Sequence, residues 1–176
     1  MATPPAHPRC RRRYEIRGVV QGVGFRPFVY ALARRCGLTG HVRNDSAGVR
    51  VEVEGSPELL HEFSTRLREE LPPLAQIDSL CEVELPLEDE STFCILPSTA
   101  AAEASTSVSP DIATCELCLE EFRDPHNRRY RYPFINCTDC GPRYTILRDI
   151  PYDRPQTTMS VFPMCRLCDA EYHDPT

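Results

Sequence analysis

At 176 residues the chain has room for one or two small domains, and its 41% hydrophobic share excludes a wholly disordered polymer. It contains no lysine, all 20 Lys/Arg positions being arginine, which excludes a Schiff-base lysine and a Walker-type phosphate loop. A net charge of −6 argues against general nucleic-acid binding, and no apolar run approaches the length of a bilayer span.

In chain order, residues 1–13 form a Pro- and Arg-rich tail expected to be disordered. Arg11–Arg13 lead into a strand and not into an apolar signal region, which reads as a cytoplasmic protein. A first strand, Tyr14–Val20, enters a glycine-rich turn, and a helix follows from Pro27 to about Cys36 with Phe28, Val29, Leu32, Ala33 and Cys36 on its apolar face. Gly37 is its C-cap candidate. A second strand spans about Leu38–Asn44, and a third alternates Val49, Val51 and Val53 with Arg50, Glu52 and Glu54. Ser56 caps a second helix with Pro57 in its first turn and a stripe of Leu59, Leu60, Phe63, Leu67 and Leu71, ended by Pro72-Pro73. Strands at about Ile77–Leu85 and Phe93–Leu96 complete the unit. The order predicts an α+β, ferredoxin-like βαββαβ sandwich over 14–97, with helices on one face of an antiparallel sheet. Residues 98–109 are small and without apolar period, a linker to a second region at 110–176.

The chemistry concentrates in the first turn, Gly18-Val-Val-Gln-Gly-Val-Gly-Phe-Arg26. Gly22 and Gly24 permit positive φ, so the amides of Gln21, Gly22, Val23, Gly24 and Phe25 can line one hollow at a helix N-terminus. Arg26 adds a planar charged fork, and the set reads as a phosphate cradle. A purely steric glycine turn is the bland alternative. Ten arginines in residues 9–50, against Glu15 and Asp45, predict a positive half around the cradle, unless they are solvated faces.

The string GVVQGVGFR resembles the signature of acylphosphatases, enzymes that hydrolyse carboxyl and carbamoyl phosphates. The resemblance pairs Arg26 with an asparagine, and the matching position is Asn44. In a split βαβ unit, strands one and two run parallel with strand three between them, so Arg26 and Asn44 can meet at one edge. Cys36 and His41 lie nearby in sequence and read as packing residues.

Cys10, Cys36, Cys81 and Cys94 are scattered, as buried or tail residues are. The other six form C-x-x-C pairs at Cys115/Cys118, Cys137/Cys140 and Cys165/Cys168. The first four, C-x2-C-x18-C-x2-C, predict a structural Zn–S4 site with no open coordination position; a redox dithiol lacks its usual sequence context. Residues 115–125 repeat at 165–175, so Cys165 and Cys168 open a second finger whose other half is not in the 176 residues. Consecutive pairing of motifs is favoured, with pairing of the second and third motifs as the alternative.

The two regions together, with FRPFVY after the loop and NRRYRYPFINCTDCGPRYT across the finger, resemble over 14–176 the amino-terminal region of the HypF family, carbamoyltransferases of nickel–iron hydrogenase maturation. That resemblance implies carbamoyl phosphate as substrate, Arg26 on its phosphate, Asn44 orienting the attacking water and the Gln21–Phe25 amides on the equatorial oxygens. It also implies missing adenylation and transfer domains, and as partner the rest of the carbamoyltransferase or a maturation protein. The rival is a zinc-dependent docking module without turnover, in which Arg128, Arg129 and Arg131 interleave with Tyr130 and Tyr132. Docking ranks first for that stretch, simple packing next and single-stranded nucleic acid last.

Overall fold

A computed structural model describes residues 8–99, 111–137, 140–141 and 144–174. Strand β1 (Cys10–Val19) leads through the glycine turn into helix α1 (Phe25–Arg35). Strands β2 (Thr39–Asp45) and β3 (Gly48–Gly55), helix α2 (Pro57–Glu69), and strands β4 (Gln76–Leu85) and β5 (Phe93–Ile95) follow. The sheet order is β4-β1-β3-β2-β5. β3 runs antiparallel to both β1 and β2, which are therefore parallel to each other.

The sheet is not antiparallel throughout, because β5 pairs with β2 in parallel. The connection after β4 crosses from one edge of the sheet to the other and enters β5 at the end where β2 begins. The expected tail is also shorter. Residues 10–13 belong to β1 and pair with both β3 and β4, while residues 1–7 and most of the expected 98–109 linker lie outside the described residues.

The core forms where the two apolar helix stripes meet the Val-rich face of the sheet. Val29, Leu32 and Ala33 of α1 and Leu60, Phe63 and Leu67 of α2 are buried against Tyr14, Ile16, Val42, Val49, Val51 and Val53. The Tyr14 and Phe63 rings lie 5.6 Å apart. Ser56 caps α2 by accepting from the Leu59 N–H at 3.4 Å. α1 ends in a Schellman turn: the Gly37 N–H donates to the Arg34 carbonyl and the Leu38 N–H to that of Ala33. Of the scattered cysteines Cys36 is buried, but Cys81 on the outer strand β4 and Cys94 on β5 are exposed, contrary to expectation.

Part of the arginine excess is paired across the strands, Arg11 and Arg13 on the sheet face away from the helices and Arg12 on the face that α2 covers. Arg11 and Arg13 of β1 both engage Glu52 of β3, and Arg12 pairs with Glu82 of β4 at 3.2 Å. These three arginines therefore answer acids on neighbouring strands. Burial pushes the Glu52 carboxyl up, but hydrogen bonds from Arg13 and Arg11 outweigh it and hold the group below the ordinary carboxylate range.

Beyond the first unit lie two eight-residue helices, α3 (Glu116–Arg123) and α4 (Arg166–His173), with three short 3-10 turns between them. The 50-residue repeat reappears in the backbone: Cys115 and Cys165 occupy the two N-cap positions at φ −69° and −71°, ψ 162° and 163°. No helix among the described residues is long and apolar enough to cross a membrane.

Candidate functional site

The glycine turn is anchored by its own side chains. Val20, Val23 and Phe25 are buried in the core, and Gly22 and Gly24 both sit at φ 72°, a region where a Cβ would be strained. With side chains drawn inward, the N–H groups of Gly22, Val23 and Gly24 meet no acceptor among the described residues. Gly24 is itself the N-cap of α1, so the helix opens at Phe25, two residues earlier than the proline suggested. Its first turn holds no acid, leaving the positive end of the helix uncompensated beside the turn. An oxyanion suits such a hollow.

Asn44 lies near the end of β2 and is 1% exposed, and neither its Oδ1 nor its Nδ2 has a hydrogen-bond partner among the described residues. A buried carboxamide without partners costs stability unless a ligand or water completes it. One dipeptide ties it to Arg26. The Thr99 N–H donates to the Asn44 carbonyl at 3.0 Å, while Ser98 Oγ accepts from Arg26 Nη1 at 3.3 Å. The Gln21 side chain supplies a second tie, its Nε2 donating to the Asp45 and Gly48 carbonyls at 2.7 Å each. Loop, Arg26 and Asn44 thus share one edge of the sheet.

Three contacts here were not legible in the sequence. Ser98 falls in the expected linker, and the Gln21 side chain, not only its amide, has work in the site. Most distant is Asp153, whose Oδ1 accepts from Arg26 Nη2 at 2.7 Å across 127 residues of chain. Pro151 before it suggests a turn, but no sequence pattern signals where that turn lands. His41 bonds Glu90 Oε1 at 3.0 Å and Cys36 is buried in the core, so neither faces the cradle.

In the second region, the sulfurs of Cys115, Cys118, Cys137 and Cys140 all lie within 4.8 Å of one another. The separations are 3.5 Å for Cys115–Cys137, 3.9 Å for Cys118–Cys140 and 4.0 Å for Cys137–Cys140. A tetrahedron with metal–sulfur bonds of about 2.3 Å has edges of about 3.8 Å, so the set fits one metal ion. Burial, then its neighbouring cysteines, hold the Cys118 thiol far above the ordinary range, so a cation is what would let four thiolates share this space. Cys165 and Cys168 stand apart from this cluster, and Arg128 Nη1 donates to Cys168 Sγ at 3.2 Å. Arg128 and Arg129 both reach Glu171 of α4, and Arg129 also pairs with Glu121 of α3 at 2.8 Å. These two arginines join the finger helices through ion pairs at the surface, Arg128 exposed and Arg129 half-buried. Tyr130 and Tyr132 remain exposed, Tyr132 edge-on to Phe134.

Two family models match this chain, one in each region. Residues 12–95 match the acylphosphatase family model and residues 114–147 the HypF finger model. An acylphosphatase of Caldivirga maquilingensis is 42% identical over 85 residues, covering 47% of this chain and 86% of that protein. Carbamoyltransferase HypF2 of Cupriavidus necator is 53% identical over 169 residues, or 94% of this chain and 21% of that protein. A crystal structure of full-length HypF in a phosphate- and nucleotide-bound form superposes with a TM-score of 0.92 at 46% identity, over 98% of this chain and 23% of that one. The chain thus spans about a fifth of the length of the carbamoyltransferases it matches. It belongs to the acylphosphatase family, in the form that HypF carbamoyltransferases carry, with a HypF finger following the domain.

Proposed function

We propose that the cradle hydrolyses carbamoyl phosphate, as the first step of carbamoyl transfer in hydrogenase maturation. The observation that carries this reading is the buried Asn44 carboxamide, unpartnered at both ends among the described residues, at the same edge as the Gly22, Val23 and Gly24 amides, which meet no acceptor among those residues. The phosphate dianion would sit on the turn amides and the N-terminus of α1, with Arg26 gripping its oxygens. Asn44 would hold a water opposite the bridging oxygen. Attack forms the new P–O bond, the bond from phosphorus to the bridging oxygen breaks, and carbamate leaves with the electron pair. The attacking water's proton passes to phosphate or solvent. A mixed anhydride has a good leaving group, so placing the water and neutralising charge suffice without a side-chain nucleophile.

The four clustered cysteines would hold zinc in a structural role, since four thiolates leave no coordination position for substrate. The partner would be the remaining part of the carbamoyltransferase, to which the product carbamate passes. The relatives' names support this placement, and they describe proteins several times longer than this chain.

Phosphate release from carbamoyl phosphate tests the reading. Arg26→Ala and Asn44→Ala are each expected to lower kcat/KM by at least a hundredfold, the scale for losing one preorganised group at a site of developing charge. Equal and slow release by wild type and both variants would overturn it and leave a zinc-dependent docking module.

A further inference from the structure

The segment Pro151–Asp153 closes on the cradle from outside the acylphosphatase domain. The Tyr152 N–H donates to Gln21 Oε1 at 3.1 Å, and Asp153 Oδ1 accepts from Arg26 Nη2 at 2.7 Å. Gln21 cannot turn away without loss, because its Nε2 already bonds the Asp45 and Gly48 carbonyls, which leaves Oε1 facing the strap. The metal-binding knuckle abuts the same loop: a Cβ on Gly141 would lie 3.0 Å from Leu74 Cδ1 and 3.6 Å from the Gly22 carbonyl oxygen. The finger region therefore supplies part of the wall of the phosphate site.

This strap is what the longer proteins add. The acylphosphatase model ends at residue 95, so stand-alone acylphosphatases share the cradle without residues 151–153. The match to HypF2, over 94% of the chain, includes them. Acyl phosphates present carbon beside the carbonyl, whereas carbamoyl phosphate presents an amino group with two N–H donors. The strap brings a carboxylate, which only accepts hydrogen bonds. Its Oδ1 is held by Arg26, while Oδ2 has no partner among the described residues. We propose that Asp153 selects carbamoyl over acyl phosphates by accepting a hydrogen bond from the substrate's amino group at Oδ2. Arg26 has a double role: it takes the phosphate, and it keeps a carboxylate tolerable beside a dianion. The proposal rests on the cradle being the phosphate site.

Two measurements on the full chain test it. The first is binding of inorganic phosphate, carbamoylphosphonate and acetylphosphonate by calorimetry, which needs no turnover. The second is kcat/KM for carbamoyl phosphate against acetyl phosphate. Wild type is expected to favour the carbamoyl member of each pair by about tenfold or more, the scale of a hydrogen bond to a charged group. Asp153→Ala should bring the preference to within about twofold, and Asp153→Asn, which keeps an acceptor oxygen without the charge, should fall between. Inorganic phosphate binding with no carbamoyl preference in wild type overturns the proposal and leaves the cradle reading standing. So does an equal fall on both substrates in Asp153→Ala, which marks a residue that only positions Arg26, or an equal rise, which marks a plug. Failure of wild type to bind phosphate or either phosphonate overturns the cradle reading and this proposal together.

Discussion

The acylphosphatase domain and the finger region are held together by different physics. In the first, two amphipathic helices cover a Val-rich sheet face, and the core is continuous from Tyr14 through Phe93. In the second, the buried apolar cluster is Cys118, Ile135 and Cys140, and two of those three are ligand candidates. A cluster that small cannot offset the conformational entropy of ordering the surrounding chain. On the zinc reading proposed above, the finger's order would come from metal–sulfur bonds and from contacts with its neighbour at Gln21, Gly22, Leu74 and Arg26. One region is a scaffold that brings a site, and the other is stapled into place so that it can border that site.

The largest effect expected from this contrast is on metal removal. A chelator, or Cys118→Ser, should unfold the finger while the first domain keeps its cooperative thermal transition, since structural zinc sites contribute on the order of 10 kcal/mol to folding. Amide hydrogen exchange by region reads this directly, with metal analysis near one zinc per chain. Exchange protection retained in α3 without metal would break the comparison.

A smaller effect sharpens the first half of the contrast. Glu52→Gln should destabilise the acylphosphatase domain by about 3 kcal/mol, because buried Glu52 gives up its charge under hydrogen bonds from both Arg11 and Arg13, while Arg11 keeps Glu88 and Glu54. The wild-type carboxyl titrates below its unfolded value, so its contribution is fully present above the unfolded pKa and is lost as pH falls through the folded one. Denaturant unfolding at neutral and acid pH should show the gap between wild type and variant narrowing in acid. A constant gap would contradict the sign.

Smaller again is the tie between the regions. Gln21→Ala leaves the Asp45 and Gly48 carbonyls without their donor and should cost about 2 kcal/mol. It should also loosen the strap, read as faster exchange of the Tyr152 amide. No change at Tyr152 would mean that Arg26 and Gly141 suffice to hold it.

Local signals made much of this legible in the sequence. The 3.6-residue stripe of α2, the Val alternation of β3 and the Ser56-Pro57 start each depend on near neighbours, and they fell within a residue or two of the observed elements. The consecutive cysteine pairing followed from the repeat unit, and those four sulfurs are the ones that cluster. Contacts across great chain separation left no local trace. The parallel entry of β5 depends on where the connection after β4 crosses, and the approach of Asp153 to Arg26 on how a finger docks. Charge counting likewise left open the pairing of Arg11, Arg12 and Arg13, which face acids on other strands as only the register shows.

The central claim is that the amides of the glycine turn receive a phosphate under the hold of Arg26. Titration of the 15N-labelled chain with inorganic phosphate tests it most directly, by following the Gly22, Val23 and Gly24 amide resonances and the Asn44 side-chain NH2. Saturable shifts at these groups in wild type, lost in Arg26→Ala, are the predicted result. Shifts confined to other parts of the chain, or unchanged in the variant, would contradict it.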